Sequence, residues 1–276
     1  MRRSVVVLVV ALALAGCGGG TYSGKPSPLP ARLQHLFDYD HHAPLDITRQ
    51  RRVHTDKLTV DALTYAAGGG RIPAYLIVPD GGGKRPAVSF VHGYGGSRSD
   101  FLAEGTGVGF LGADVLTITM PFGPHARGSH GALMIRTVIA IRRAIDLLAG
   151  RKDVDRGRIA LVGYSLGAQA AALTAGLEDR LRGVVLQAPP AHLDGADADF
   201  DTIPYVRHAA PAWLYVQGAE LDEGVPPRDV QSLIDAAPHP VEYKWYPTSH
   251  AFAPVTFRDQ VAWLRDRLGL KGSAAK

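Results

Sequence analysis

The 276-residue chain has one cysteine, Cys17, so it can form no internal disulfide. It has no block of consecutive lysines and arginines. Lys and Arg total 30 against 26 Asp and Glu, and Arg2 and Arg3 supply half of the formal charge of +4. A basic nucleic-acid-binding surface is therefore not signalled. The apolar run Val5–Ala15 falls well short of the ~20 residues that a membrane-crossing helix needs. There is no internal repeat and no metal signature. His41-His42 is followed by no second ligand cluster, so it reads as a pair of solvated loop histidines. What is present is apolar material: 46% hydrophobic and 20% charged residues suit one sizeable core.

Arg2-Arg3, the apolar run and the small residues up to Cys17 are the parts of an export signal. Leu14-Ala15-Gly16-Cys17 resembles the bacterial lipoprotein signal, in which the cysteine is lipidated and becomes the new N-terminus. The rival is an ordinary secretory cut after Ala15, since Ala13-Leu14-Ala15 also fits a cleavage site. The first reading makes 1–16 a signal peptide and the mature chain an extracytoplasmic protein held to a membrane through Cys17. Residues 17–50 are then a lipidated tether and lead-in, 51–270 the folded domain and 271–276 a tail. The Gly, Ser and Pro of 18–30 build a tether and no core.

From residue 57, KLTVDALTYA alternates as a strand does, and AGGGR turns it back into IPAYLIVP, an antiparallel hairpin. Short apolar strands follow at 86–91, 113–121, 158–165, 181–189, 211–218 and 241–249. Helical patterns separate most of them. The clearest spans 129–150, where Leu133, Val138, Ile141, Ile145 and Leu148 share one face while Arg136, Arg142 and Arg143 are expected to be more exposed. Apolar strands without clean alternation, interleaved with helices, predict an α/β fold: a mostly parallel, twisted sheet of about eight strands with helices on both faces.

The strand at 158–165 runs into Gly163-Tyr164-Ser165-Leu166-Gly167 and then an alanine-rich helix. A serine between two glycines at a strand-to-helix junction is the nucleophile-elbow pattern. The backbone there is strained, and Gly163 and Gly167 remove side chains that would collide with the helix and the preceding strand. The helix then aims its N-terminal amides toward Ser165.

Three features supply context. His250, in YPTSHAF after the last strand, is placed to act as a base for the serine. Glu220, Asp222 and Glu223 follow the strand at 211–218 and can supply the acid that orients an imidazole; Asp222 is first choice and Glu220 second. The glycine-rich HGYGGS at 92–97 can donate an N–H, from Tyr94, to an oxyanion, with Leu166 giving the other.

Together the hairpin ending in RIPAYLIVP, the HGYGG loop, GYSLG, the D-x-x-V-P segment at 222–226 and SHAF resemble the α/β-hydrolase superfamily. They are most similar to its dienelactone-hydrolase-like and acetyl-esterase-like members and to the catalytic domain of prolyl oligopeptidases. The resemblance implies hydrolysis of a small-molecule ester, for small to medium acyl groups, by a Ser165-His250-Asp222 triad without a cofactor. A peptidase or amidase, and a surface lipoprotein that only binds a ligand, are the alternatives. The connection at 190–210 is short, so a cap over the site is small or absent. The sequence sets no oligomeric state.

Other residues carry less. His125, Arg127 and His130, in PFGPHARGSH, belong first to a proline-fixed loop. Ser97 and Ser99 have no elbow, Ser129 reads as a helix N-cap, and Trp213, Trp245 and Trp263 read as core.

Overall fold

The computed structural model describes residues 28–55, 57–192, 197–252 and 254–271. Cys17 and the candidate signal segment lie outside them. Nine strands form one sheet: β1 (Thr48–His54), β2 (Leu58–Ala67), β3 (Gly70–Pro79), β4 (Arg85–Val91), β5 (Asp114–Ile118), β6 (Val154–Tyr164), β7 (Leu181–Gln187), β8 (Trp213–Ala219) and β9 (Val241–Tyr246). Their spatial order is β1-β2-β3-β5-β4-β6-β7-β8-β9. The pairs β1–β2, β2–β3 and β3–β5 are antiparallel, and from β5 to β9 every pair is parallel.

The sheet thus has nine strands where about eight were expected. The addition is β1, in the stretch read as lead-in. All seven of its residues, TRQRRVH, are exposed. An edge strand with solvent on both faces buries nothing, so it leaves no hydrophobic alternation to read.

The helices are α1 (Ala31–His35), α2 (Leu102–Phe110), α3 (His130–Ala149), α4 (Leu166–Ala175), α5 (Thr202–Val206), α6 (Pro227–Ala236) and α7 (Pro254–Leu268). Two apolar clusters cover the two faces of the sheet. One joins α3, α4, α5 and α6 to it; the other joins α2 and α7. The central strands are apolar throughout because both faces are covered: β4 has six buried residues of seven.

The lead-in belongs to the first cluster. Leu33 and Phe37 are buried in it, and so is Leu29, at the end of the stretch expected to build no core, because the chain already lies against the domain there. Arg143, expected at the surface, is only 4% exposed. Its guanidinium donates to Ala43 O at 2.6 Å and to Asp146 at 3.1 Å, and Arg142 donates to Phe37 O at 3.0 Å. The two arginines therefore satisfy carbonyls of a segment folded back over α3, and that long-range partner explains a charge on a buried face. Of the tryptophans, Trp263 is buried whereas Trp213 and Trp245 are half-buried. Between β7 and β8 the described residues hold a single 3₁₀ turn (Ala198–Phe200) and the five-residue α5.

Candidate active site

The site lies where the parallel strands end. β6 finishes at Tyr164 and α4 begins at Leu166, leaving Ser165 alone at the turn with φ 54° and ψ −121°. A serine at positive φ is strained by about 1–3 kcal/mol and persists only where its surroundings hold it. The holding contacts are explicit. Ser165 N–H donates to Gln187 O on β7 at 2.8 Å, and Ser165 O accepts from Ala168 and Gln169 N–H as α4 starts. The flanking glycines are both required by close approach. A Cβ on Gly163 would overlap Gly167 O and stand 2.8 Å from Ala168 Cα; a Cβ on Gly167 would overlap His92 O and Val91 O. These obstacles are backbone and cannot swing aside. Gly167→Ala should therefore cost about 3 kcal/mol of stability. Chemical denaturation measures it, and an unchanged midpoint with an unchanged slope would contradict the tight junction.

His250 stands in the loop after β9, and Asp222 in the loop after β8. His250 Nε2 is 2.9 Å from Ser165 Oγ. On the other side of the ring, Nδ1 is 2.8 and 3.0 Å from the two oxygens of Asp222. The Asp222 side chain is only 1% exposed. Its Oδ1 also accepts from Gly224 and Val225 N–H at 2.8 Å each, which keeps a buried carboxylate solvated by main chain. Those bonds fix the acid through the D-x-x-V turn itself. Glu220 and Glu223 are exposed.

The glycine-rich turn after β4 faces the serine. A Cβ placed on Gly93 would be 3.3 Å from Ser165 Cβ. Among the described residues, neither Tyr94 N–H nor Leu166 N–H has a hydrogen-bond partner. Leu166 is the first residue of α4, too early in the helix for its own amide to find an intrahelical acceptor. The arrangement sets an imidazole within hydrogen-bond reach of Ser165 Oγ and leaves the Tyr94 and Leu166 N–H groups unpartnered among the described residues.

Two anchoring residues escaped the sequence reading. His92 is 1% exposed. Its Nε2 accepts Met120 N–H at 2.9 Å, and its Nδ1–H donates to Gly93 O at 2.6 Å. Burial pushes this imidazole below its ordinary pKa, in keeping with a neutral ring that both accepts and donates. It ties the turn to the exit of β5. The second is Tyr164, whose hydroxyl donates to His250 O at 2.9 Å. Only the HG and GY pairs themselves were visible in the sequence; Met120 and His250 lie 28 and 86 residues away.

The remaining candidates fall away from this geometry. Ser129 Oγ accepts Ala132 N–H and caps α3. His125 is exposed, and the His130 ring packs between Phe122 and Phe200. His41 and His42 are exposed, and no group of three possible metal ligands occurs among the described residues.

The sequence model of the alpha/beta hydrolase family matches residues 90–271. The chain belongs to the alpha/beta hydrolase family. This hydrolase matches no curated relative by sequence. It is similar in structure to an acetyl xylan esterase from Paenibacillus sp. R4, with TM-score 0.72 and 17% identity over 86% of this chain and 92% of that one. It is also similar to acetyl xylan esterase 1 from Thermoanaerobacterium sp. JW/SL YS485, with TM-score 0.69 and 18% identity over 90% and 96% of the two chains. A cold-adapted esterase from an Arctic intertidal metagenomic library gives TM-score 0.68 at 13% identity, over 80% and 99%. At these identities the likeness is one of fold, and it agrees with the fold the motifs implied.

Proposed function

We propose that this alpha/beta hydrolase is a serine esterase for small to medium acyl groups, with Ser165 as nucleophile, His250 as base and Asp222 as its orienting acid. The observation that carries the reading is the unbroken chain Ser165 Oγ–His250 Nε2 at 2.9 Å and His250 Nδ1–Asp222 Oδ2 at 2.8 Å. Ser165 Oγ attacks the ester carbonyl as His250 takes its proton. Tyr94 and Leu166 N–H groups receive the oxyanion. His250 returns the proton to the leaving alcohol, and water then releases the acid from the acyl-enzyme by the same steps. The short connection between β7 and β8 supports a site without a large cap. The esterase names of three similar structures, two of them acetyl esterases, agree with a small acyl group. The sequence around Cys17 supports an extracytoplasmic enzyme attached to a membrane by a lipid.

A fluorophosphonate probe should label the protein at Ser165, and a panel of aryl esters should show turnover falling as the acyl chain lengthens. Peptide and anilide substrates should be cleaved far more slowly than esters. No labelling would sink the catalytic reading in favour of a binding protein; faster cleavage of peptides would make the chain a peptidase.

A further inference from the structure

The imidazole of His250, bonded by Asp222 on one side and Ser165 on the other, rides on a loop that is largely exposed. Pro247, Ser249 and Ala251 are exposed, and His250 and Phe252 are only half-buried. Exposed loops sample many conformations, and a base displaced by even an ångström loses much of its effect. The main chain supplies two anchors at one end: Leu221 N–H donates to Thr248 O at 3.0 Å, and Thr248 N–H to Tyr246 O at 2.8 Å. Asp222 and Ser165 bond the His250 ring itself, whereas the His250 carbonyl and the rings of His250 and Phe252 meet Tyr164.

That residue is the second position of the GYSLG elbow, immediately before Ser165. Its hydroxyl donates to His250 O at 2.9 Å. Its ring lies 5.2 Å from the His250 ring at an interplanar angle of 35°. Phe252 meets it edge-on at 6.3 Å and also packs against Tyr246. The ring also abuts the glycine-rich turn: a Cβ on Gly93 would be only 3.1 Å from Tyr164 Cδ1. Burial raises the phenol pKa, so the hydroxyl stays a donor through the working range of an esterase.

We infer that Tyr164 is a positioning residue: it holds the histidine loop and the oxyanion turn in register with the serine beside it. The inference rests on Ser165 and His250 being nucleophile and base. An elbow whose second side chain reaches both loops lets one rigid point, the end of β6, set the placement of three separate parts of the site. The strand that precedes the histidine, β9, is an edge strand three places removed from β6, so its main chain does not tie His250 directly to the serine turn.

The test compares Tyr164→Phe and Tyr164→Leu with the parent. Tyr164→Phe keeps the ring and loses one hydrogen bond, so kcat on an aryl acetate should fall about tenfold with KM and thermal midpoint unchanged. Tyr164→Leu also loses the ring against His250 and should fall by about a further factor of ten. The downfield proton resonance of the His250–Asp222 hydrogen bond should broaden in both variants, which a purely structural role would not produce. Parent-like kcat in Tyr164→Phe, or an equal loss of kcat and stability with the resonance intact, overturns the inference. Failure of the parent itself to be labelled by a fluorophosphonate would instead remove the esterase reading beneath it.

Discussion

Replacing Ser165 with alanine should lower kcat for an aryl acetate by a factor of about 10⁵ or more while leaving the fold in place. The loss is large because the hydroxyl is the bond-forming atom and the rest of the site acts only through it. The fold should survive because Ser165 Oγ makes one contact, to His250, whereas the turn is held by main-chain bonds to Gln187, Ala168 and Gln169. Alanine carries the same Cβ into the same strained backbone and adds no collision. Steady-state turnover with a matched denaturation curve checks both halves. Activity within tenfold of the parent would reject Ser165 as nucleophile, whatever the stability.

Asp222→Asn should lower kcat by about 10⁴. An amide is close in shape to the carboxylate and can still accept from Gly224 and Val225 N–H through its oxygen. Its NH₂ group would then point at His250 Nδ1, so the ring must present a lone pair there and carry its hydrogen on Nε2. That tautomer cannot receive the proton of Ser165. Glu220→Gln, at an exposed position, should stay within twofold of the parent. Reversed magnitudes would make Glu220 the acid and require the loop after β8 to rearrange in solution. The experiment thus decides between two residues that their spacing in the sequence alone leaves open.

Much of this site was legible because it depends on local pattern. GYSLG needs its glycines for a collision that any such elbow would create, and the structure supplies that collision at Gly167 O, Val91 O and His92 O. Asp222 follows the apolar run of β8 and His250 the short last strand β9, so chain order alone brings them to one sheet edge. What stayed hidden depends on partners far along the chain. Arg143 looks like a surface residue until Ala43 O is placed beside it. Tyr164 is an ordinary filler of a variable motif position until the carbonyl of His250 comes within reach. β1 escaped for the opposite reason: it is regular structure with no buried face, so the period-2 signal that marks the hairpin of β2 and β3 is absent from it.

β1 has a consequence for the behaviour of the molecule in a crowded solution. An open sheet ends in rows of unpaired amide and carbonyl groups, and such margins invite strands from other copies to add on. Here the first margin carries Arg49, Arg51 and Arg52 within four positions, and among the described residues one carboxylate, Asp61, is paired to two of them. A second copy docking edge to edge would have to crowd its own guanidinium groups against these. Like-charge repulsion therefore guards against polymer growth along this side without a helix or loop having to cover it.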